Sequence, residues 1–225
     1  MTTDDLHRVR SSYDAVADRY AEVYADELDR NPMHRGLVAW FLEMVADARG
    51  GDAPVADLGC GPGHIAGALA AAGLPTIGVD LSPAMIAVAR RRHPAIDFTV
   101  GDLTDLGVEA AWAGAAAMYS IIHLSPAQRA RAYASIARAL RPGAWLLLTF
   151  HVEMGEHRPG ATLTMDTWWE RPVDLDAHFL DPEEVIAGLA AVGLETQARV
   201  EREHWPGAEV ASRRAALLAR RRRDP

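Results

Sequence analysis

Five short apolar runs, PVADL (54–58), PTIGVD (75–80), AIDFTV (95–100), AAAMYSI (115–121) and AWLLLTF (144–150), are each followed by ten or more residues of helical or looping character. That rhythm predicts β/α alternation around a buried parallel sheet, because strands covered on both faces read as continuous apolar runs. Upstream, Val9, Tyr13, Val16, Tyr20 and Val23 recur at helical spacing, with Glu27 as the one polar exception in the stripe. After Pro32 a second stripe, Leu37, Trp40, Phe41, Met44 and Val45, predicts another helix ending at Gly50 and Gly51. Near the other end LETQARVE alternates as a half-buried strand does, whereas SRRAALLARRR has helix propensity.

A chain of 225 residues suits one domain with a modest insertion. Its apolar fraction of 49% and charged fraction of 24% are those of a soluble globular protein. The net charge of -8 argues against nucleic-acid partners, which need cations to neutralise phosphates. Cys60 is the single cysteine, so neither an intramolecular disulfide nor a cysteine metal cluster is expected, and no metal site is. The start MTTDDLHRVR has no signal-peptide core, so a cytoplasmic location without membrane association is expected. The basic stretch Arg220 to Arg223 reads as a solvated terminus.

Ligands of open α/β sheets bind beyond the carboxyl ends of the strands. Those ends deliver Asp57 with Gly59, Gly61 and Gly63, then Asp80, then Gly101 and Asp102, then Tyr119, Ser120 and His123, and finally Thr149 and His151. A dinucleotide fingerprint would place its third glycine at position 64, where His64 stands, and no Gly-Lys-Ser/Thr follows to make a P-loop. Asp57 would repel a pyrophosphate but welcome a cation. Asp80, 21 residues beyond Gly59, has the separation of an acid that holds a ribose diol. Asp102 is placed to take the exocyclic amine of an adenine. Ammonium, ribose and adenine together describe a phosphate-free nucleoside with an amino-acid tail.

VADLGCGPG, GVDLSPAMIAVAR, VGDLTDL and LRPGAWLLLTF resemble the successive motifs of the class I S-adenosylmethionine-dependent methyltransferases, over roughly residues 35 to 205. The resemblance implies a Rossmann-like α/β fold: a seven-stranded, mostly parallel sheet with helices on both faces and an antiparallel C-terminal hairpin, so that the SRRAALLARRR segment becomes a strand. It divides the chain into N-terminal lid helices (1–50), a cofactor-binding βα core (51–152), a substrate-cap insertion (153–181), and a C-terminal helix and hairpin (182–225). It implies S-adenosyl-L-methionine as cofactor, with Asp57, Gly59, Cys60, Gly61 and Gly63 around its methionine part and Asp80 on the ribose. Leu81 and Met85 would flank the ring system, Gly101, Asp102 and Leu103 lie at the adenine, and Tyr20 and Ser120 complete the shell.

The segment Tyr119 to His123 departs from the Asn/Asp-Pro-Pro-Tyr/Phe motif of enzymes that methylate nucleobase amines, which turns the expectation towards a small-molecule acceptor. O-methylation of a secondary metabolite is the expected reaction. His123 and His151 are the candidate bases for a hydroxyl, whereas His64, His157 and His178 read as structural or solvated. Tyr13 and Tyr20 share one helix face, as core anchors or as a lid. Trp168 and Trp169 in the insertion are candidate acceptor contacts, of which adjacency should let at most one face a ligand. A monomer or homodimer is expected. The competing readings are a nicotinamide oxidoreductase, for which no second catalytic region is visible, and a protein that uses the same pocket without methylating.

Overall fold

The computed structural model describes residues 3–48 and 51–223. Three helices, α1 (Thr3–Val23), the short α2 (Glu27–Arg30) and α3 (Pro32–Ala48), precede the sheet. Pro32 starts α3, as suits a residue whose missing N–H is one of the unpaired donors of a first turn. Gly50, read as part of the stop of α3, lies outside the described residues. Then come β1 (Val55–Leu58), α4 (His64–Ala71), β2 (Thr76–Asp80), α5 (Pro83–Arg92), β3 (Asp97–Val100), β4 (Trp112–Met118), α6 (Pro126–Ala139) and β5 (Leu140–Glu153). The hairpin β6 (Thr162–Trp168) and β7 (Arg171–His178) follows, then α7 (Pro182–Ala191), β8 (Leu194–Arg202) and β9 (Arg213–Arg221).

The main sheet has the order β3-β2-β1-β4-β5-β9-β8, parallel from β3 to β5. β9 runs antiparallel between β5 and β8. The expected seven-stranded fold is therefore present. β9 decides a conflict between propensity and position: Ala215, Leu217 and Ala219 face one core cluster while Ala216 and Leu218 face the other. A segment inserted between two strands and covered on both faces becomes a strand, whatever its alanines and leucines prefer alone. β4 and β5 are sandwiched in the same way, with Ala115, Ala117, Leu146 and Leu148 towards α6 and α7, and Ala116 and Leu147 towards α3 and α4.

Local signals fix the helix starts that frame the site. Ser82 caps α5 on the Met85 N–H, and Ser125 with Gln128 forms a capping box ahead of α6. Several strand limits differ from the sequence reading. β3 begins two residues later, β4 ends at Met118, and β5 continues to Glu153, so His151 lies inside a strand. β4 stops because Tyr119 turns into the left-handed region, φ 55°.

The insertion folds as a two-stranded hairpin whose tip is Trp169 and Glu170, at φ 49° and 63°. Both central residues at positive φ match the twist of a two-residue hairpin. Helix α1 lies across this hairpin. Val16 packs on Val173 and Leu175, Arg8 pairs with Asp174 at 2.6 Å and Asp176 at 3.2 Å, and Ser12 Oγ accepts the Asp174 N–H at 2.8 Å. The other side of α1, Ala17 and Ala21, packs on Met85 and Val88 of α5.

Candidate functional site

Strand order reverses between β1 and β4, and beyond the carboxyl ends of those strands a cavity of about 720 Å³ opens, roofed by α1 and the β6–β7 hairpin. The turn after β1 is built for close approach. Gly59, φ 69°, lies so near the β4 loop that a Cβ there would stand 2.3 Å from Ser120 Cβ. Gly61, φ 51°, opens into the cavity, where a Cβ would meet only Tyr20 at 3.8 Å. Of the sequence candidates at this end, Tyr20, Asp57, Gly59, Cys60, Gly61, Asp80, Leu81, Met85, Asp102, Leu103 and Ser120 line the cavity. Gly63 and Gly101 do not: they back onto Phe98 and His93, and onto Val79.

Two carboxylates dominate this end. Asp57 is 1% exposed, and its Oδ2 accepts the Ala66 N–H of α4 at 2.9 Å. Asp80 accepts the Gly61 N–H on Oδ2 and the Ser82 N–H on Oδ1, both at 2.8 Å. No arginine pairs with either among the described residues, so burial pushes Asp57 up to about 7 and Asp80 up to about 6. Asp102 instead spends both oxygens on Thr104, on its N–H at 2.8 Å and its hydroxyl at 2.7 Å. Ser120 Oγ is buried without a partner.

The cavity is also walled by Tyr13, Trp168, Trp169, Met165, Phe179 and Met154. Trp168 and Trp169 stack at 4.7 Å and both line the cavity, a difference from the expectation that only one would. The positive φ of Trp169 brings the second ring round. Tyr13 and Tyr20 serve both of the roles the sequence left open, packing on Met85 and Val88 while facing the cavity.

The histidines separate on hydrogen-bond accounting. His123 Nδ1 lies 2.7 Å from the Asp176 carbonyl, which can only accept, so Nδ1 carries the proton. Nε2 must then accept from the Tyr13 hydroxyl at 2.7 Å, and burial lowers this imidazole to about 4. Both nitrogens are engaged. His151 Nδ1 meets Ser212 Oγ at 2.8 Å while its Nε2 has no partner among the described residues, and burial lowers it to about 3.

Sequence reasoning missed a charged group in the cavity lining. His34, 2% exposed, places Nδ1 2.8 Å from Glu27 and Nε2 2.9 Å from Glu209. Carboxylates only accept, so both ring nitrogens donate and His34 is an imidazolium. Burial opposes that charge, but the bonds to Glu209 and Glu27 hold its pKa above the usual value. Glu209, 3% exposed, also receives Arg202 at 2.6 Å and Arg214 at 2.7 Å. Burial would raise Glu209, but the bonds from Arg202 and His34 hold it far below the carboxylate range. His64 pairs with Glu27 at 2.7 Å. Two signals were present: Glu27 broke an apolar stripe, and His64 stood in a glycine position. Glu209 and Arg214 gave none.

Residues 55–143 match the model of a methyltransferase domain. The chain is 36% identical over 131 residues to an uncharacterized 37.1 kDa transposon protein of Streptomyces fradiae, covering 56% of this chain and 37% of that one. It is 28% identical over 147 residues to demethylmenaquinone methyltransferase of Beutenbergia cavernae, covering 64% and 58%. The chain thus spans well under two thirds of the length of these relatives. Among solved structures, 1,6-didemethyltoxoflavin-N1-methyltransferase of Burkholderia thailandensis superposes with a TM-score of 0.72 at 19% identity, over 97% of this chain and 89% of that one. The domain match thus takes in the glycine turn and the two acidic strand ends, and the seven-stranded sheet closed by its antiparallel pair gives the chain the fold of the methyltransferase structures to which it is similar.

Proposed function

We propose that the protein methylates an oxygen of a small planar molecule, with S-adenosyl-L-methionine as donor. The observation that carries the donor assignment is the pair Asp57 and Asp80: two buried carboxylates, each bonded to backbone N–H groups, flank a glycine turn with no arginine paired to either among the described residues. A ligand with an ammonium and a diol supplies what they lack, whereas a pyrophosphate would be repelled. Asp57 would face the ammonium, Asp80 the ribose hydroxyls, and Leu81, Met85 and Leu103 the rings. The relative from Burkholderia thailandensis holds S-adenosylhomocysteine, which supports the same reading.

The donor supplies an activated methyl group on a sulfonium, so the chain's task is alignment and exclusion of water. Helix α1 and the β6–β7 hairpin provide the cover, through Tyr13, Trp168 and Trp169. The enclosed volume and aromatic walls suit a small acceptor rather than a macromolecular one, as the acidic net charge also does. Of the two candidate histidines, His151 is the one with a nitrogen free for the acceptor, and His123 acts by holding Tyr13 in the wall.

Calorimetric titration with S-adenosylmethionine, S-adenosylhomocysteine and NAD tests the donor, and product mass with candidate hydroxyl acceptors tests the reaction. Micromolar binding of the first two and a product heavier by one methylene are expected. Binding of NAD with no heat from either sulfur compound would overturn the reading.

A further inference from the structure

Beside the aromatic wall the protons of Tyr119 and His151 can be assigned from their partners, and neither the Tyr119 O–H nor the His151 Nε2–H meets an acceptor among the described residues. The His34 imidazolium donates from Nε2, which lies 2.9 Å from the Tyr119 hydroxyl as well as from Glu209. The Tyr119 oxygen therefore accepts, and its own hydrogen has no acceptor among the described residues. Ser212 is buried and receives Arg214 Nε at 3.3 Å, so the acceptor for its hydroxyl hydrogen is His151 Nδ1 at 2.8 Å. His151 then carries its proton on Nε2. The two rings lie side by side with centroids 4.9 Å apart, and both border the cavity.

Behind them stands positive charge. The Arg214 guanidinium lies 5.5 Å over the Tyr119 ring, and Arg202, Arg214 and the imidazolium of His34 outnumber the carboxylates Glu27 and Glu209 by one. Glu209 itself is saturated, receiving Arg202, Arg214, His34, Asn31 and the Trp205 N–H. This part of the cavity lining is thus a pair of neutral donors in a positive field, with Phe179 and Met154 also in the wall.

We infer that this is an anion subsite: the acceptor enters with an ionised oxygen, of a carboxylate or of an acidic phenol or enol, received by Tyr119 O–H and His151 Nε2–H. The inference rests on the methyltransferase reading for the word acceptor, but not for the charge preference of the site. An oxygen that arrives ionised has no proton to lose, which agrees with the lack of a free imidazole able to take one near neutral pH: His123 is engaged at both nitrogens, and burial holds His123 and His151 near about 4 and about 3.

Three isosteric planar probes decide it by calorimetry at pH 7.5, on the full chain with S-adenosylhomocysteine present: 2-naphthoate, 2-naphthamide and 2-naphthylmethylammonium. The carboxylate should bind about tenfold or more tightly than the amide, and the ammonium most weakly, as charge-assisted bonds to an anion predict. Tyr119→Phe and His151→Phe should each weaken the carboxylate more than the amide and so narrow the gap between them; circular dichroism melts confirm that the variants fold. Equal binding of carboxylate and amide, preference for the ammonium, or binding of none of the three would overturn the subsite. Titration of S-adenosylhomocysteine alone separates the two ideas, since its failure to bind removes the donor assignment without touching the probe ranking.

Discussion

The Tyr13 hydroxyl donates to His123 Nε2 at 2.7 Å, tying helix α1 to the loop after β4. Because the other nitrogen is committed to the Asp176 carbonyl, the ring is held neutral, and protonation would have to break the Tyr13 bond. His123 should show no ionisation between pH 5.5 and 8 when its ring signals are followed by NMR. Its contribution to stability is lost as pH falls from about 6.5, where an unfolded histidine takes up its proton, through about 4, where the folded one does. A titration near 6.5 would mean that the ring is free and that the bond to Tyr13 is not formed. Tyr13→Phe leaves Nε2 without a donor and should lower stability by about 1 to 3 kcal/mol in denaturant unfolding.

Asp80 holds the Gly61 and Ser82 N–H groups, so its removal acts on both the turn and the ligand. Asp80→Asn keeps the shape and one acceptor oxygen. The affinity for S-adenosylhomocysteine should fall by about tenfold or more in calorimetry, the loss expected for one charge-assisted hydrogen bond. Unchanged affinity in a folded variant would take Asp80 out of the binding site.

The raised pKa values of Asp57 and Asp80 give the free protein and the complex different pH dependences. The folded protein keeps these protons to about 7 and about 6, whereas the unfolded chain releases them near the ordinary 3.8, so their contribution to stability falls as pH rises through that window. A ligand that brings an ammonium and hydroxyl donors favours the ionised carboxylates, and so binds more tightly as pH rises. The increase in Tm produced by S-adenosylhomocysteine should therefore grow between pH 5.5 and 8, and Asp57→Asn should flatten it. An increase that is flat in the wild type would detach both carboxylates from the ligand.

Much of this was legible because it is local or periodic. The β1 turn shows itself by Gly59 and Gly61, and the buried strands by unbroken apolar runs that the two core faces then explain residue by residue. The strand at β9 was not legible from its own residues, since Ala and Leu prefer a helix and only the slot between β5 and β8 overrides them. The pairing of the histidines was not legible either. Which nitrogen of His123 carries the proton depends on a carbonyl 53 residues away in sequence, and the charge on His34 on a glutamate in the β8–β9 loop. Long-range polar contacts leave no period in a sequence, although a charged residue in an apolar stripe, as at Glu27, marks where one will be needed.

Glu209 is the residue on which the β8–β9 loop, the N-terminal helices and the β9 strand converge, through Arg202, His34, Asn31 and Arg214. Its side chain is 3% exposed, so Glu209→Gln removes a charge from a group that cannot be rescued by water. Two guanidinium groups and an imidazolium would be left with only Glu27 against them, and breaking a buried ion pair by neutralising one partner costs about 3 to 5 kcal/mol. His34 should respond by giving up its Nε2 proton, since glutamine offers a weaker acceptor there. That release reverses the bond to Tyr119: the hydroxyl must now donate to the lone pair on Nε2, and its hydrogen is withdrawn from the cavity. The variant should unfold at clearly lower denaturant, and its His34 ring signals should titrate at lower pH than in the wild type. Wild-type stability together with an unchanged His34 titration would show that the carboxylate of Glu209 carries no charge in the native protein.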